Sequence, residues 1–242
     1  MAPDRTMPLP RTLETEWLDV LPADDPRAMV SRRDLRLVNR LMFNVALAAR
    51  RLKAIYPAGC KPRRILDLGA GDGTWMLALA RRLARHWPGV EVTLLDRQSL
   101  VAGATRESFA ALGWKAETAT AGVFDYLKTS PAPSDIVIAN LFLHHFEEAD
   151  LSRLLALIAG TTGCFIAVEP RRARFALTMS RFLWAVGCNR VTRHDAVASV
   201  RAGFTGDELS ASWPQGGRWH LREEPAWPFS HCFVARHVSD GL

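Results

Sequence analysis

Cysteine is scarce in this 242-residue chain, and its four copies, Cys60, Cys164, Cys188 and Cys232, lie far apart with no C-x-x-C pair. That excludes a zinc cluster or a disulfide framework as the organising principle. No apolar run approaches the roughly 20 residues that a membrane-spanning helix needs. The first residues, MAPDRTMPLPRTLETEW, lack the apolar centre of a secretory signal. A reduced, cytoplasmic chain without a membrane span is therefore expected. Like charges never run to five in a row, so the excess of 31 Lys+Arg over 25 Asp+Glu, a net +6, does not form a nucleic-acid tail. It speaks to solubility and to steering of acidic partners. Internal repeats and low-complexity segments are absent as well.

What remains is 48% hydrophobic and 23% charged residues, the mixture of a chain that buries a core. The length suits one large domain with an appended cover. Residues 1–12 hold three prolines and read as a loose tail. Thr12–Leu21 and Leu35–Tyr56 have helical spacing of apolar residues. From Arg64 the rhythm changes to short apolar runs alternating with helical stretches. The runs are Arg64–Leu68, Val90–Leu95, Trp114–Thr120, Ser134–Asn140 and Cys164–Val168. The helical stretches are Trp75–His86, Ser99–Leu112 and Glu147–Ala159. Such βα alternation predicts a mainly parallel sheet with right-handed crossovers. Phe175–Val186 reads as a strongly apolar helix, Thr205–Ser212 as a short one with Thr205 at its N-cap. Arg218–Arg222 and Ser230–Arg236 read as a closing antiparallel pair. The expected fold is α/β, Rossmann-like and doubly wound, with seven strands, an antiparallel last strand and N-terminal helices. Residues 1–59 would form a tail and helical cap, and residues 60–242 the core, with a helical lid around 171–200.

The richest stretch is Ile65-Leu-Asp-Leu-Gly-Ala-Gly-Asp-Gly-Thr-Trp75. A strand runs into Gly69, Gly71 and Gly73 and then into a helix, a turn that lets a ligand approach the backbone. Thr74 stands where a dinucleotide fingerprint would place its third glycine. Asp67, two residues before the first glycine, would attract an ammonium group and repel a pyrophosphate. Asp96, at the end of the next strand, is placed to accept hydrogen bonds from ribose hydroxyls. The plain alternatives are a structural glycine turn and a capping aspartate.

Together with Asp135-Ile-Val-Ile-Ala-Asn-Leu-Phe-Leu-His-His-Phe146, these residues make the chain resemble the class I S-adenosylmethionine-dependent methyltransferases over about residues 60–170. Asn140–Phe146, Arg190–Asp195 and Ser199–Phe204 resemble a bacterial small-molecule subgroup associated with polyketide or quinone-type biosynthesis. The resemblance implies S-adenosyl-L-methionine as cofactor. Its methionine end would lie over Gly69, Ala70 and Gly71, with Asp67 near the ammonium and Thr74 beginning the helix. Asp96 would hold the ribose and Arg97 flank the adenine. Gly122 stands where the family often has an acid, so Gly122 and Val123 would meet the adenine through their backbone, with Asp125 as the alternative. Asn140 and Leu141 would face the sulfonium.

Asn140-Leu-Phe-Leu143 lacks the two prolines typical of base-amino methylation, which disfavours nucleic acid as the acceptor. His144, His145 and His194 are candidate acid–base groups, because imidazole titrates near neutral pH. Packing or capping is the alternative for the first two, and a surface turn for His194. Asp195 would orient His194, Glu169 would line the acceptor pocket, and Arg171 and Arg172 would bind an acidic substrate group. Phe175–Val186 would be a lid or pocket wall, and Asn39–Asn44 would close the cofactor side. No metal is expected. The predicted reaction is methyl transfer to an oxygen or activated carbon of a small, mostly apolar, phenolic or polyketide-like molecule. RNA methylation and a non-catalytic cofactor-binding role are the alternatives. A nicotinamide-dependent oxidoreductase would need a glycine at 74 and a Tyr-x-x-x-Lys pair, and only Tyr56 and Tyr126 exist.

Overall fold

The computed structural model describes residues 9–22, 24–57, 59–129 and 132–238. Seven strands form one sheet: β1 (Arg64–Leu68), β2 (Glu91–Asp96), β3 (Lys115–Thr120), β4 (Ile136–Asn140), β5 (Cys164–Pro170), β6 (Trp219–Ala226) and β7 (Ser230–His237). Their order is β3-β2-β1-β4-β5-β7-β6. β1 to β5 pair in parallel, and β7 is antiparallel to both β5 and β6. The expected α/β fold is therefore present. The order reverses between β1 and β4, so a crevice opens at the carboxyl ends of those two strands.

The central strands are apolar on both faces because helices cover both. Residues 65–68 of β1, 136–139 of β4 and all of β5 are buried. On one side Leu52, Ile65, Met76, Leu79, Trp87 and Trp114 share a core. On the other, Leu154, Leu155, Phe165, Trp213 and Phe233 do. Truncating one of these leucines to alanine costs about 2–5 kcal/mol. β3 lies at the sheet edge, which explains its weak apolar signal.

Several element boundaries differ from the sequence reading. The first helix is only one turn, α1 (Trp17–Val20). The long helix read from Leu35 to Tyr56 is two, α2 (Pro26–Leu41) and α3 (Asn44–Ile55). Phe43 between them has φ 57°, a left-handed conformation that periodicity does not register. α4 (Thr74–Leu83) follows the glycine loop, and α5 (Gly103–Ala111) follows β2. α6 (Val123–Thr129) was not anticipated, and α7 (Glu148–Ala159) matches expectation. Beyond β5 the predicted Phe175–Val186 helix is α8 (Arg174–Ser180) followed by a 3-10 turn at Leu183–Val186. α9 (Arg190–Ala202) is capped by Asn189, whose Oδ1 accepts from Thr192 N at 2.8 Å. α10 (Glu208–Ser212) begins after Asp207, so Thr205 is not its N-cap.

The tail reading fails for residues 9–12, and residues 1–8 lie outside the described residues. Arg11 donates from Nε to Ala202 O at 2.8 Å and from Nη2 to Phe146 O at 2.9 Å. Thr12 N donates to Arg201 O at 3.1 Å. Backbone carbonyls at the end of α9 and in the turn after β4 thus hold the segment down.

Candidate active site

The β1–α4 loop forms the floor of the crevice. Gly69 has φ 70°, and a Cβ there would sit 2.4 Å from Phe142 Cδ2, so the turn after β4 approaches the loop only because residue 69 has no side chain. Gly71 has φ 56°, and a Cβ there would meet nothing within 4 Å. Ala70 N donates to Leu95 O at 3.0 Å, tying the loop to β2. Thr74 is held by Asp72: its N–H donates to Asp72 Oδ1 at 3.0 Å, and its hydroxyl donates to the same oxygen. Asp72 also accepts from Arg36 Nη1 at 3.0 Å, a contact from α2 that no local motif announces.

Asp67 is 2% exposed, and among the described residues nothing donates to its carboxylate. Burial, with the Asp96 carboxylate nearby, raises it well above the ordinary carboxylate range. Asp96 accepts from Gly71 N through Oδ2 and from Gln98 N through Oδ1, both at 2.9 Å. Each oxygen retains accepting capacity beyond its backbone donor. Arg97 is exposed beside it. Ala121 N donates to Asp96 O at 3.0 Å, which brings the start of α6 beside β2. Val123 faces the core, and the Gly122 carbonyl accepts from Tyr126 N at 3.0 Å, so helix formation takes part of the expected adenine wall. Asp125 lies in the first turn of α6.

At the tip of β4, Leu141 has φ 53°, a strained conformation for a branched side chain. Asn140 Oδ1 accepts from Asn44 Nδ2, and Asn140 Nδ2 donates to Asn39 Oδ1, both at 3.0 Å. Asn44 Oδ1 accepts from Ser230 Oγ at 2.6 Å. The α2–α3 junction thus reaches β4 at the crevice.

The two adjacent histidines lie in a 3-10 turn after β4, Leu143–His145, and they differ sharply. His144 is buried, with Nδ1 at 2.8 Å from Glu169 Oε2 and Nε2 at 3.3 Å from Glu16 Oε1. Burial opposes its charge, but the hydrogen bonds to Glu16 and Glu169 outweigh burial and raise it to about 9. Glu16 is lowered to about 2: burial opposes that shift, and the His144 hydrogen bond and charge overcome it. His145 keeps 27% of its side chain exposed, and its Nδ1 lies 3.4 Å from Asp19 Oδ2. Burial and the neighbouring charge of His144 lower it. Glu16, His144 and His145 bring ligand atoms within 4.8 Å of one another, although a proton and the Ser199 hydroxyl already serve His144 and Glu16.

Other expectations are corrected here. Glu169 does not line a pocket. It is fully buried, and its Oε1 accepts from Phe142 N at 3.0 Å and Leu143 N at 2.9 Å. Arg172 is also inside, donating to Leu9 O and Gly203 O and pairing with Glu208, so it is not offered to a substrate. His194 sits on α9 rather than on a surface turn. Its ring stacks on Trp17 at 4.0 Å, and its Nδ1 lies 2.9 Å from Asp195 Oδ1. Asp195 also accepts from Trp17 N and Leu18 N at 2.8 and 3.0 Å, fixing α1. Glu16 and Asp19, both on the N-terminal segment, escaped the sequence reading.

A family profile described as "Methyltransferase domain" matches residues 65–162, the stretch from β1 to the end of α7 that carries this floor and turn. The matched stretch, under half of the chain, is similar to methyltransferase domains. Acetylserotonin O-methyltransferase of Mus musculus is 28% identical over 202 residues, covering 76% of this chain and 50% of the mouse protein. An uncharacterized methyltransferase of Mycobacterium tuberculosis is 37% identical over 124 residues, covering 49% and 57% of the two chains. The chain thus spans about half the length of the curated relatives it matches. Among solved structures, the plantazolicin methyltransferase BpumL in complex with SAH superposes with a TM-score of 0.63 at 13% identity, over 89% of this chain and 92% of the other. An O-methyltransferase family protein from Burkholderia thailandensis gives 0.58 at 18% identity, over 90% and 62%. Those likenesses are of fold.

Proposed function

We propose that this protein transfers a methyl group from S-adenosylmethionine to an oxygen, or an activated carbon, of a small and mostly apolar acceptor of phenolic or polyketide-like type. The observation that carries the reading is Asp67, a buried carboxylate without a donor beneath an open glycine loop. An uncompensated buried carboxylate is costly unless a cation meets it, and the methionine end of the cofactor brings an ammonium group. The other residues fit too. Asp96 has capacity left for ribose hydroxyls, with Arg97 and the Gly122–Val123 backbone beside the adenine. Gly69, Ala70 and Gly71 underlie the methionine end, Thr74 opens the helix behind it, and Asn140 and Leu141 close the sulfonium side.

The bound sulfonium supplies an already activated methyl group, so the protein's work is alignment, exclusion of water and management of one proton. His145 is our choice of general base. Burial, together with the charge of His144 held between Glu16 and Glu169, lowers His145 and favours its neutral form; one residue of the pair is thereby made the acceptor and the other a positioning group. The helices α1, α2 and α3 act as a cap and the helices within 171–200 as a lid over the acceptor. Among the described residues no helix is long and apolar enough to cross a membrane. All four cysteines are free and three are buried, which supports a cytoplasmic setting. The deciding experiment incubates the protein with methyl-labelled S-adenosylmethionine and a panel of phenols, polyketides and their enol forms. Label in a phenol or polyketide carries the proposal. Tight cofactor binding without transfer to any panel member would end it.

A further inference from the structure

α8 is built inside out. Its small residues Ala176 and Ser180 face inward, while Phe175, Met179 and, just beyond it, Phe182 and Trp184 are 40–58% exposed. A surface helix normally turns its large apolar residues to the core. Phe175 stacks on Phe229 at 5.6 Å, which joins this face to the β6–β7 turn, where Trp227 is 81% exposed. Large apolar side chains gathered at the surface mark an interaction site.

The exposed charges that this stretch itself carries have one sign, the nearby Asp34 and Asp195 being buried. Residues 170–194 contain six arginines and neither Asp nor Glu. Arg172 is used inside the fold, as described. Arg181, Arg190 and Arg193, with Trp17 and His194, line a cavity of about 500 Å³. Among the described residues no carboxylate forms an ion pair with those three arginines. Like charges gathered without a counter-ion repel one another, and an anionic partner removes that cost.

We propose that this face docks the protein on an anionic lipid surface, with Phe182, Trp184 and Trp227 entering the headgroup boundary and the arginine cavity taking lipid phosphates. Exposed Trp and Phe beside Arg is the composition of interfacial anchors. A second copy of the chain would set the same arginines against themselves, which opposes self-association through this face. The inference does not rest on the proposed methyl transfer.

The test is co-sedimentation of the full chain with sucrose-loaded vesicles, either phosphatidylcholine alone or phosphatidylcholine mixed with phosphatidylglycerol. Binding is expected to the mixed vesicles only, and to fall when NaCl is raised to about 0.5 M. The double variant Phe182→Ser/Trp184→Ser should lower the partition coefficient on the order of tenfold. The triple variant Arg181→Gln/Arg190→Gln/Arg193→Gln should abolish preference for the anionic vesicles. Its side chains are exposed, so it serves as the test if the double variant fails a thermal-melt check. Equal recovery in the supernatant with both vesicle types overturns the proposal. So does inorganic phosphate bound in the arginine cavity without vesicle binding, or a dimer that the double variant dissociates.

Discussion

Glu169 at the end of β5 and His144 after β4 form a buried pair, Oε2 to Nδ1 at 2.8 Å, while the other oxygen of Glu169 takes two backbone N–H groups of the turn that carries the histidine. One carboxylate therefore sets the backbone of residues 142–143 and the ring of residue 144 together. Glu169→Gln keeps the shape but cannot accept from three donors in the same way and leaves the imidazolium short of a partner. A loss of about 3 kcal/mol or more in urea-derived stability is expected, the range for breaking a buried pair. A loss below about 1 kcal/mol would mean that the pair is not the brace.

The same pair gives stability a pH dependence. His144 has its folded value raised from 6.5 to about 9, so its contribution is fully present below 6.5 and disappears as pH climbs through about 9. Glu16, lowered from 4.5 to about 2, contributes fully above 4.5 and loses that contribution as pH falls towards 2. The melting temperature should therefore be highest between these limits and decline on both sides. In His144→Gln the alkaline decline from this source should vanish; an unchanged alkaline slope in that variant would show that other groups set it.

His145 and His144 should separate kinetically. His145→Ala is expected to lower kcat by about a hundredfold or more, the size of a general-base contribution, with little change in cofactor affinity. His144→Ala should disturb KM, kcat and stability together, as a positioning residue does. His194→Ala should act mainly through stability, because its ring serves Trp17 and Asp195. Treatment with a chelator should leave turnover unchanged, since the Glu16–His144–His145 group already satisfies its own protons; restoration of lost activity by one divalent metal would reassign the cluster.

How much of this was legible follows chain distance. The strand, the glycine turn and Asp96 lie within 32 residues of each other, from Ile65 to Asp96, and their residue types state their geometry. The Glu16–His144 contact spans 128 residues and Asn44–Asn140 spans 96, and nothing local marks either as a partner. Glu169 looked like a pocket acid because its place at a strand's carboxyl end is right for one. Its burial arises from the turn folding back over it, which depends on Leu141 and Gly69 rather than on its own neighbours. The two-helix break at Phe43 was hidden because apolar spacing continues across it while φ does not.

Asp67 predicts a proton linked to cofactor binding. Burial and Asp96 raise its folded value well above 3.8, and an arriving ammonium group favours release of its proton. Calorimetry in buffers of different ionisation enthalpy should record proton release on binding, and affinity should rise with pH. Asp67→Asn should abolish the release and weaken binding by about tenfold or more. Proton release unchanged in that variant would place the ammonium elsewhere.

Gly69 and Gly71 share a left-handed backbone but not a neighbourhood, and alanine at each should fail differently. At Gly69 the new Cβ would stand 2.4 Å from the Phe142 ring, so Gly69→Ala adds a clash to the conformational cost and should destabilise by about 2–4 kcal/mol. Phe142→Leu in the same chain should recover part of that loss, because the ring is the obstacle. At Gly71 the Cβ would point into open space, leaving only the positive-φ cost of about 1–2 kcal/mol. That space is the proposed seat of the methionine end, so Gly71→Ala should keep the fold while cutting cofactor affinity by tenfold or more. Melts and cofactor calorimetry on the two variants together check the assignment. If Gly71→Ala binds as the parent does, the cofactor does not lie over this loop, and the crevice between β1 and β4 loses its role.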